Sequence, residues 1–433
     1  MKKQTSTTSF LLPLKGVGGS DKLYSAMYIL GTALAIAFTM LIAEVYYIKV
    51  ADIAPEVNRS KTYYLESLIN RDSDYVTVKY EVYRDLFQKM QTPECQTMMM
   101  FYWNSNGDYI KLADGRHDHA VKLKVTEPTF FRFFQFSFIE GAPFTQDDFD
   151  SGRRNVVITE EIRDILFGKG GSAVGSTLSL NYLDYRICGV VETPSMLTEA
   201  CVGDIYVPAA ADGLLKDWGA GYERQRVKVC LSVPSERRDA FLQELKEVEA
   251  RYNSMHTDNP VDMTASIGTH YSRVWNELGY VFESWGDSII WYVVPGILLL
   301  LIVPAINLSG MVASRMERRL PEMAIRKAFG AKRRTLLWQV IMENLLLTLM
   351  GGAIGLCLAW AALYGWRDWV FYIFSVNPDL YGVVPILKGE MFFGPVIFLI
   401  ALLICTLLNV LAATLPAWLS LRKPIVESMM IKK

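Results

Sequence analysis

Four long apolar runs constrain this chain more than any other feature. A helix rises about 1.5 Å per residue and a bilayer's hydrocarbon core is about 30 Å thick, so a span needs about 20 apolar residues. Residues 25–48 (SAMYILGTALAIAFTMLIAEVYYI), 288–314 (SIIWYVVPGILLLLIVPAINLSGMVAS), 335–366 and 391–421 all reach that length. The first is too long for a signal-peptide core. Glu44 and two tyrosines follow it instead of a small-residue cleavage site, so it reads as a retained anchor. The stretch 49–287 is polar and long enough for a core of its own. A composition of 51% hydrophobic and 21% charged residues suits a chain that is part membrane, part soluble. The expected fold is a membrane protein of four transmembrane helices, one plus three, with a large α+β periplasmic domain inserted between the first and second.

Charge sets the orientation. Lysine and arginine gather on the cytoplasmic side of membrane proteins. The tail 1–24 has four basic residues and one acidic, 315–334 has eight and two, and 422–433 has four and one. The rest of the chain is acidic on balance, and the net charge is −1. Both termini and the 315–334 loop are therefore expected inside, with the domain 49–287 and the short loop 367–390 outside. Neutral overall charge argues against a nucleic-acid partner.

The outside region alternates strand and helix patterns. Strand-like runs fall at 95–103, 120–126, 155–159, 177–181, 185–191, 204–207 and 226–233, and helical ones at 127–134, 159–167 and 235–252. Ser235 before a charged run reads as a helix N-cap. Lys49–Asn70 and His270–Asp287 are compatible with helix and are expected to prolong the flanking spans as stalks.

No catalytic set is legible, and no metal site is assigned. GKGGSAVGS (Gly168–Ser176) lacks the Lys-Ser/Thr pair of a phosphate loop and reads as a turn. RHDHA, with His117 and His119, reads as a solvated loop. Asp147 and Asp148 read as a solvated loop or a helix cap. Cys95, Cys188, Cys201 and Cys230 lie where a disulfide is permitted, but Cys188 and Cys230 sit in apolar runs suited to buried thiols.

The inside loop RLPEMAIRKAFGAKRR (Arg319–Arg334) has a helical pattern that topology alone does not require. Leu320, Met323, Ala324, Ala328 and Ala331 fall near helical spacing, with Pro321 suited to a first turn and Gly330 to a last one. A short basic helix along the cytoplasmic surface is expected. In the third span, Glu343 is expected in a helix–helix hydrogen bond. Gly351, Gly352 and Gly355 permit close helix packing, a dimer interface being one use for it.

Glu317–Ala359 resembles the membrane core of FtsX-like ABC transporter permeases, through Glu322, Met323, Ile325, Arg326, Lys327, Ala328, Gly330, Ala331, Glu343, Gly351, Gly352 and Gly355. The outside segments VTEPTFFRFFQFSFIEGAPFTQDDF, NVVITEEIRDILFG, AVGSTLSL and YRICGVVETP resemble the periplasmic core domain of MacB-type transporters, and LRKPIVESMM is similar to the family's ending at Arg422 and Pro424.

The resemblance implies a role for the basic helix, that of coupling to an ATPase through Glu322, Met323, Ile325, Arg326, Lys327, Phe329, Gly330 and Lys332. It implies a bacterial inner-membrane permease working as a dimer with a second copy or a paralogue. An adaptor and an outer-membrane channel are further partners the family uses, beside membrane lipids. MacB carries its ATPase ahead of the first span, where this chain has residues 1–24. The ATPase is therefore expected on a separate chain, with ATP-Mg bound there and no cofactor here. Export or extraction of a drug, peptide or lipoprotein is the expected function. A mechanotransmitting regulator of a cell-wall hydrolase is the alternative, and a simple membrane receptor is a third class.

Overall fold

The computed structural model describes residues 19–70, 75–101, 107–112, 118–195, 197–211, 226–274, 321–366 and 395–422, with positions 314 and 319 besides. The predicted second span, the loop 367–390 and the C-terminal tail lie outside the described residues. The chain divides into two units: Met1–Tyr47 with Val281–Ser375 and Phe392–Lys433, and Ile48–Tyr280 with Val376–Met391.

The first unit is helical. Helix α1 spans Gly19–Val50, starting ahead of the predicted span. Runs of Ala, Leu, Ile and Met, good helix formers without an interrupting proline, carry it through. Its segment Ser25–Val50 is long and apolar enough to cross a membrane, as is Arg333–Gly365. A third long helix, Pro395–Arg422, has no charged residue before its last.

The second unit is a mixed α+β domain. Among the described residues, one sheet runs in the order Ile267–Thr269, Thr62–Leu65, Arg226–Ser232, Cys95–Phe101, Leu123–Thr126, Ile205–Pro208, Asn155–Thr159, Leu183–Val191, Thr177–Leu180, Asp108–Lys111, Asp118–Val121. Phe138–Gly141 pairs beside Leu183–Val191. Parallel neighbours occur twice, Leu123–Thr126 with Ile205–Pro208 and Asn155–Thr159 with Leu183–Val191. The second pair is bridged by helix α2, Glu160–Phe167, whose Ile162 is buried against the sheet. Helix α3, Arg238–Met255, buries Phe241 and Leu245 with Val227, Val229 and Leu231. The run PTFFRFFQF becomes an aromatic layer: Phe130 stands 4.9 Å from Phe134 and 5.6 Å from Phe131, whose ring meets Tyr206 at 5.6 Å.

Several expectations need correction. Lys49–Asn70 does not prolong the first helix. The helix stops at Val50, and a turn at Arg59–Lys61 leads into strands Thr62–Leu65 and Ser67–Asn70. Pro55 has no N–H to give to a helical ladder, and TYYL suits a half-buried strand better than a helix. On the other side, residues 270–274 are helical, and the rest of that stretch lies outside the described residues.

Ser235 is not the cap of α3. It opens a separate 3-10 turn, Ser235–Arg237, and its hydroxyl donates to Glu236 Oε1 at 3.1 Å. His119 lies in a strand, opposite Ile110, and not in a loop. The 120–126 run is two strands, Asp118–Val121 and Leu123–Thr126.

The Asp147/Asp148 pair resolves into a cap. Thr145 and Asp148 form a reciprocal capping box on the short helix Gln146–Asp150. GKGGSAVGS turns with Gly168, Gly170 and Gly175 at positive φ. Cys95, Cys188, Cys201 and Cys230 are free thiols, and burial pushes those of Cys188 and Cys230 up to about 12.

Candidate functional site

The basic loop is a built elbow. Helix α4, residues 321–328, starts at Pro321, whose missing N–H is not needed in a first turn. It ends in a Schellman cap: Ala331 N donates to Arg326 O (3.0 Å) and Gly330 N to Lys327 O (2.9 Å). The cap places Gly330 at φ +93°, a conformation that a side chain would strain. Helix α5, Arg333–Gly365, follows at once.

Two faces of α4 are differently used. Met323 and Ala324 are buried, and Met323 packs with Tyr28, Leu336 and Val340. These contacts anchor the elbow to α1 and α5. Ile325 and Phe329, four residues apart and so on one helical face, stay 50% and 89% exposed. Phe329 thus stands in solvent on a capped turn.

Charge surrounds that apolar pair. Lys332, Arg333 and Arg334 are exposed, and Lys327 is half-buried. Burial, and then Arg333, lowers the Lys327 amine from its ordinary value. Arg326 is partly occupied within the chain: it donates to Glu322 Oε1 (2.6 Å) and Gln339 Oε1 (3.1 Å). Of the eight residues assigned to coupling, Met323 faces the chain's own core. Glu322, Ile325, Arg326, Phe329, Gly330 and Lys332 face outward.

Sequence reasoning missed the anchors. Leu336, Val340 and Gln339 lie in an apolar run where one residue looks like the next, and Tyr28 is hundreds of positions away. Glu343 accepts from Arg319 Nη1 at 2.8 Å, so its partner is an arginine of the loop itself.

The glycines pack three helices of one chain. A Cβ on Gly351 would stand 2.9 Å from Thr32 Cβ, and one on Gly355 3.0 Å from Ile36 Cβ, both on α1. One on Gly352 would stand 2.6 Å from Leu402, on helix α6, Pro395–Arg422. The Gly351/Gly355 face is therefore filled by α1 and does not lie free for a second copy. Tyr28 and Thr348 are hydrogen-bonded across the same contact at 3.2 Å.

Residues 25–248 match the family model for the MacB-like periplasmic core domain, and 294–425 match that for the FtsX-like permease C-terminal region. The chain belongs to the FtsX-like, MacB-type ABC transporter permeases. Membership of this family implies an inner-membrane permease with a periplasmic domain. It is 22% identical over 275 residues to an uncharacterized ABC transporter permease, YvrN of Bacillus subtilis, covering 61% of this chain and 62% of that one. YknZ, an uncharacterized permease of the same organism, is 24% identical over 52% of this chain and 54% of its own. The pyoverdine export ATP-binding/permease protein PvdT of Pseudomonas entomophila is 24% identical, over 58% of this chain and 37% of its own. The permease thus spans less than two thirds of each of these relatives. Among solved structures, the periplasmic region of MacB from Actinobacillus actinomycetemcomitans aligns at 15% identity with a TM-score of 0.36, over 49% of this chain and 90% of that one.

Proposed function

We propose that this chain is the permease of an ABC transporter whose ATPase is a separate cytoplasmic protein, docked on the elbow at 321–332. The observation that carries the reading is the exposed Phe329–Ile325 pair on a helix anchored from behind by Met323. An apolar knob among cations fits a groove with an acidic rim on the ATPase. Rigid backing lets a push on the knob move α1 and α5 together. Four spans with both termini inside, a functional dimer and export or extraction of a drug, peptide or lipoprotein complete the proposal. ATP-Mg belongs to the partner.

The test is affinity purification of the tagged chain from native membranes, with bound proteins identified by mass spectrometry. A stoichiometric ATPase is expected, lost at least tenfold with Phe329→Asp. Phe329 is a cleaner probe than Arg326, because reversing Arg326 also breaks its bonds to Glu322 and Gln339. No ATPase under gentle solubilisation, or full retention by Phe329→Asp, overturns the docking reading. A cell-wall hydrolase recovered in place of transported material would instead favour a mechanotransmitting regulator.

A further inference from the structure

The end of α1 is held by side chains that arrive from two distant parts of the outer domain. The last four carbonyls of any helix lack partners inside it. Here Arg59 Nη1 donates to Ile48 O (2.7 Å) and to Ala51 O (3.0 Å), and His270 Nε2 donates to Lys49 O (2.7 Å). A guanidinium at the negative end of a helix dipole is favourably placed.

The same guanidinium holds two more groups. Its Nε donates to Glu56 Oε2 (2.7 Å) and its Nη2 to Leu197 O (2.6 Å). Arg59 and Glu56 are each only 2% exposed. The other Glu56 oxygen accepts from Ala200 N at 2.8 Å, closing the loop 197–200 onto the cluster. Burial pushes the Glu56 carboxyl up, and Arg59, with His270 and Arg273, together more than offset it, leaving the group lowered.

His270 opens the helical residues 270–274, which lead towards the predicted second span. Three residues on, Arg273 donates to Glu199 Oε2 at 2.8 Å and stands 5.0 Å from the Tyr64 ring. Tyr64 lies in the strand Thr62–Leu65, paired with Arg226–Ser232 and Ile267–Thr269. Ile48–Ala51, the helical residues 270–274 and the strand Thr62–Leu65 thus meet at one buried cluster.

We propose that Arg59 and His270 are positioning residues that lock both membrane leads to the outer sheet, so that helix movement reaches the sheet as one rigid displacement. The inference rests on the transporter reading above, since it needs a motor to move the helix. A tether made only of backbone would let α1 slide or unwind at Val50 without moving the sheet. Three carbonyls clamped by two buried side chains resist that.

The experiment uses the full chain, tagged and purified with its bound ATPase into lipid nanodiscs. Hydrogen–deuterium exchange is read by mass spectrometry with and without ATP and vanadate, on peptides covering 62–65 and 226–232. Wild type is expected to change its exchange on trapping. The Arg59→Lys/His270→Leu variant keeps the cation beside Glu56 but releases the carbonyls. It is expected to hydrolyse ATP at the wild-type rate while its outer-domain response falls at least fivefold. Should that variant fail to elute as a folded complex, Arg59→Lys alone is expected to show a fall of at least twofold. A full wild-type response in either folded variant overturns the joint. A wild type that hydrolyses ATP with no outer-domain response overturns the transporter reading, and the joint falls with it.

Discussion

The elbow at 321–332 and the root of the outer domain at 48–59 each place an arginine beside a glutamate on the same stretch of chain, and use the pair in opposite ways. Arg326 meets Glu322 one helical turn away with 47% and 59% of their side chains in water. Arg59 meets Glu56 with 1% and 2% exposed. In the first pair, water screens the attraction, and the side chains remain available at a surface. In the second, desolvation makes every donor and acceptor count, and the guanidinium is consumed by one carboxylate and three carbonyls. The same residue types are a contact surface in one place and a structural clamp in the other.

The largest effect that tests this contrast is on stability. Arg59→Met leaves Glu56 buried without its partner and is expected to cost about 3–5 kcal/mol. Arg326→Met removes a solvated pair and is expected to cost about 1 kcal/mol or less. Thermal unfolding of both variants in the same detergent reads the difference. Equal shifts would break the comparison.

Acid sharpens the same point. Burial, and then the charge of Arg59, lowers His270 from its ordinary 6.5 to about 4. The unfolded chain therefore binds a proton between those two values that the folded chain refuses. The neutral ring's contribution is complete above pH 6.5 and declines as pH falls towards 4. The loss is about 3 kcal/mol at most. His270→Leu is expected to flatten that part of the stability–pH curve, and a curve unchanged by the substitution would contradict a neutral, buried His270.

Within the elbow, the two faces separate. Met323→Ala empties an anchor and is expected to loosen 321–332 by about 2 kcal/mol, seen as faster amide exchange there. Phe329→Ala is expected to leave that exchange unchanged. The smallest effect concerns the glycine face. Gly355→Leu must displace Ile36 and the Ala33 carbonyl, at about 1–2 kcal/mol, and reduce the yield of monodisperse protein. A Cβ on Gly365 meets nothing within 4 Å, and Gly365→Ala is expected to be neutral.

Much of this was legible without coordinates where a local rule governs. Pro321 and Gly330 bracket α4 because a missing N–H and a positive φ are properties of single residues. Asp147 and Asp148 stayed open between a loop and a cap, and the reciprocal bonds of Thr145 with Asp148 decided it. Legibility failed where a local preference was overridden or ambiguous. The stretch after Val50 is compatible with helix, but Pro55 and the pairing of Thr62–Leu65 with two distant strands decide against it. Ser235 had the right type for a cap, but the chain made a 3-10 turn first.

By itself, then, the sequence determined the apolar runs, the uneven distribution of basic residues, the α+β character of the inserted domain and the basic helix at 321–328. Periodicity, length and charge asymmetry act within a few turns of chain, so they survive without a fold. Only the tertiary structure decided that Gly351 and Gly355 face α1, that Glu343 is answered by Arg319, and that Arg59 and His270 close on the end of the first helix. Those pairings join residues up to hundreds of positions apart, and a buried charge finds its partner only once the surrounding chain has excluded water.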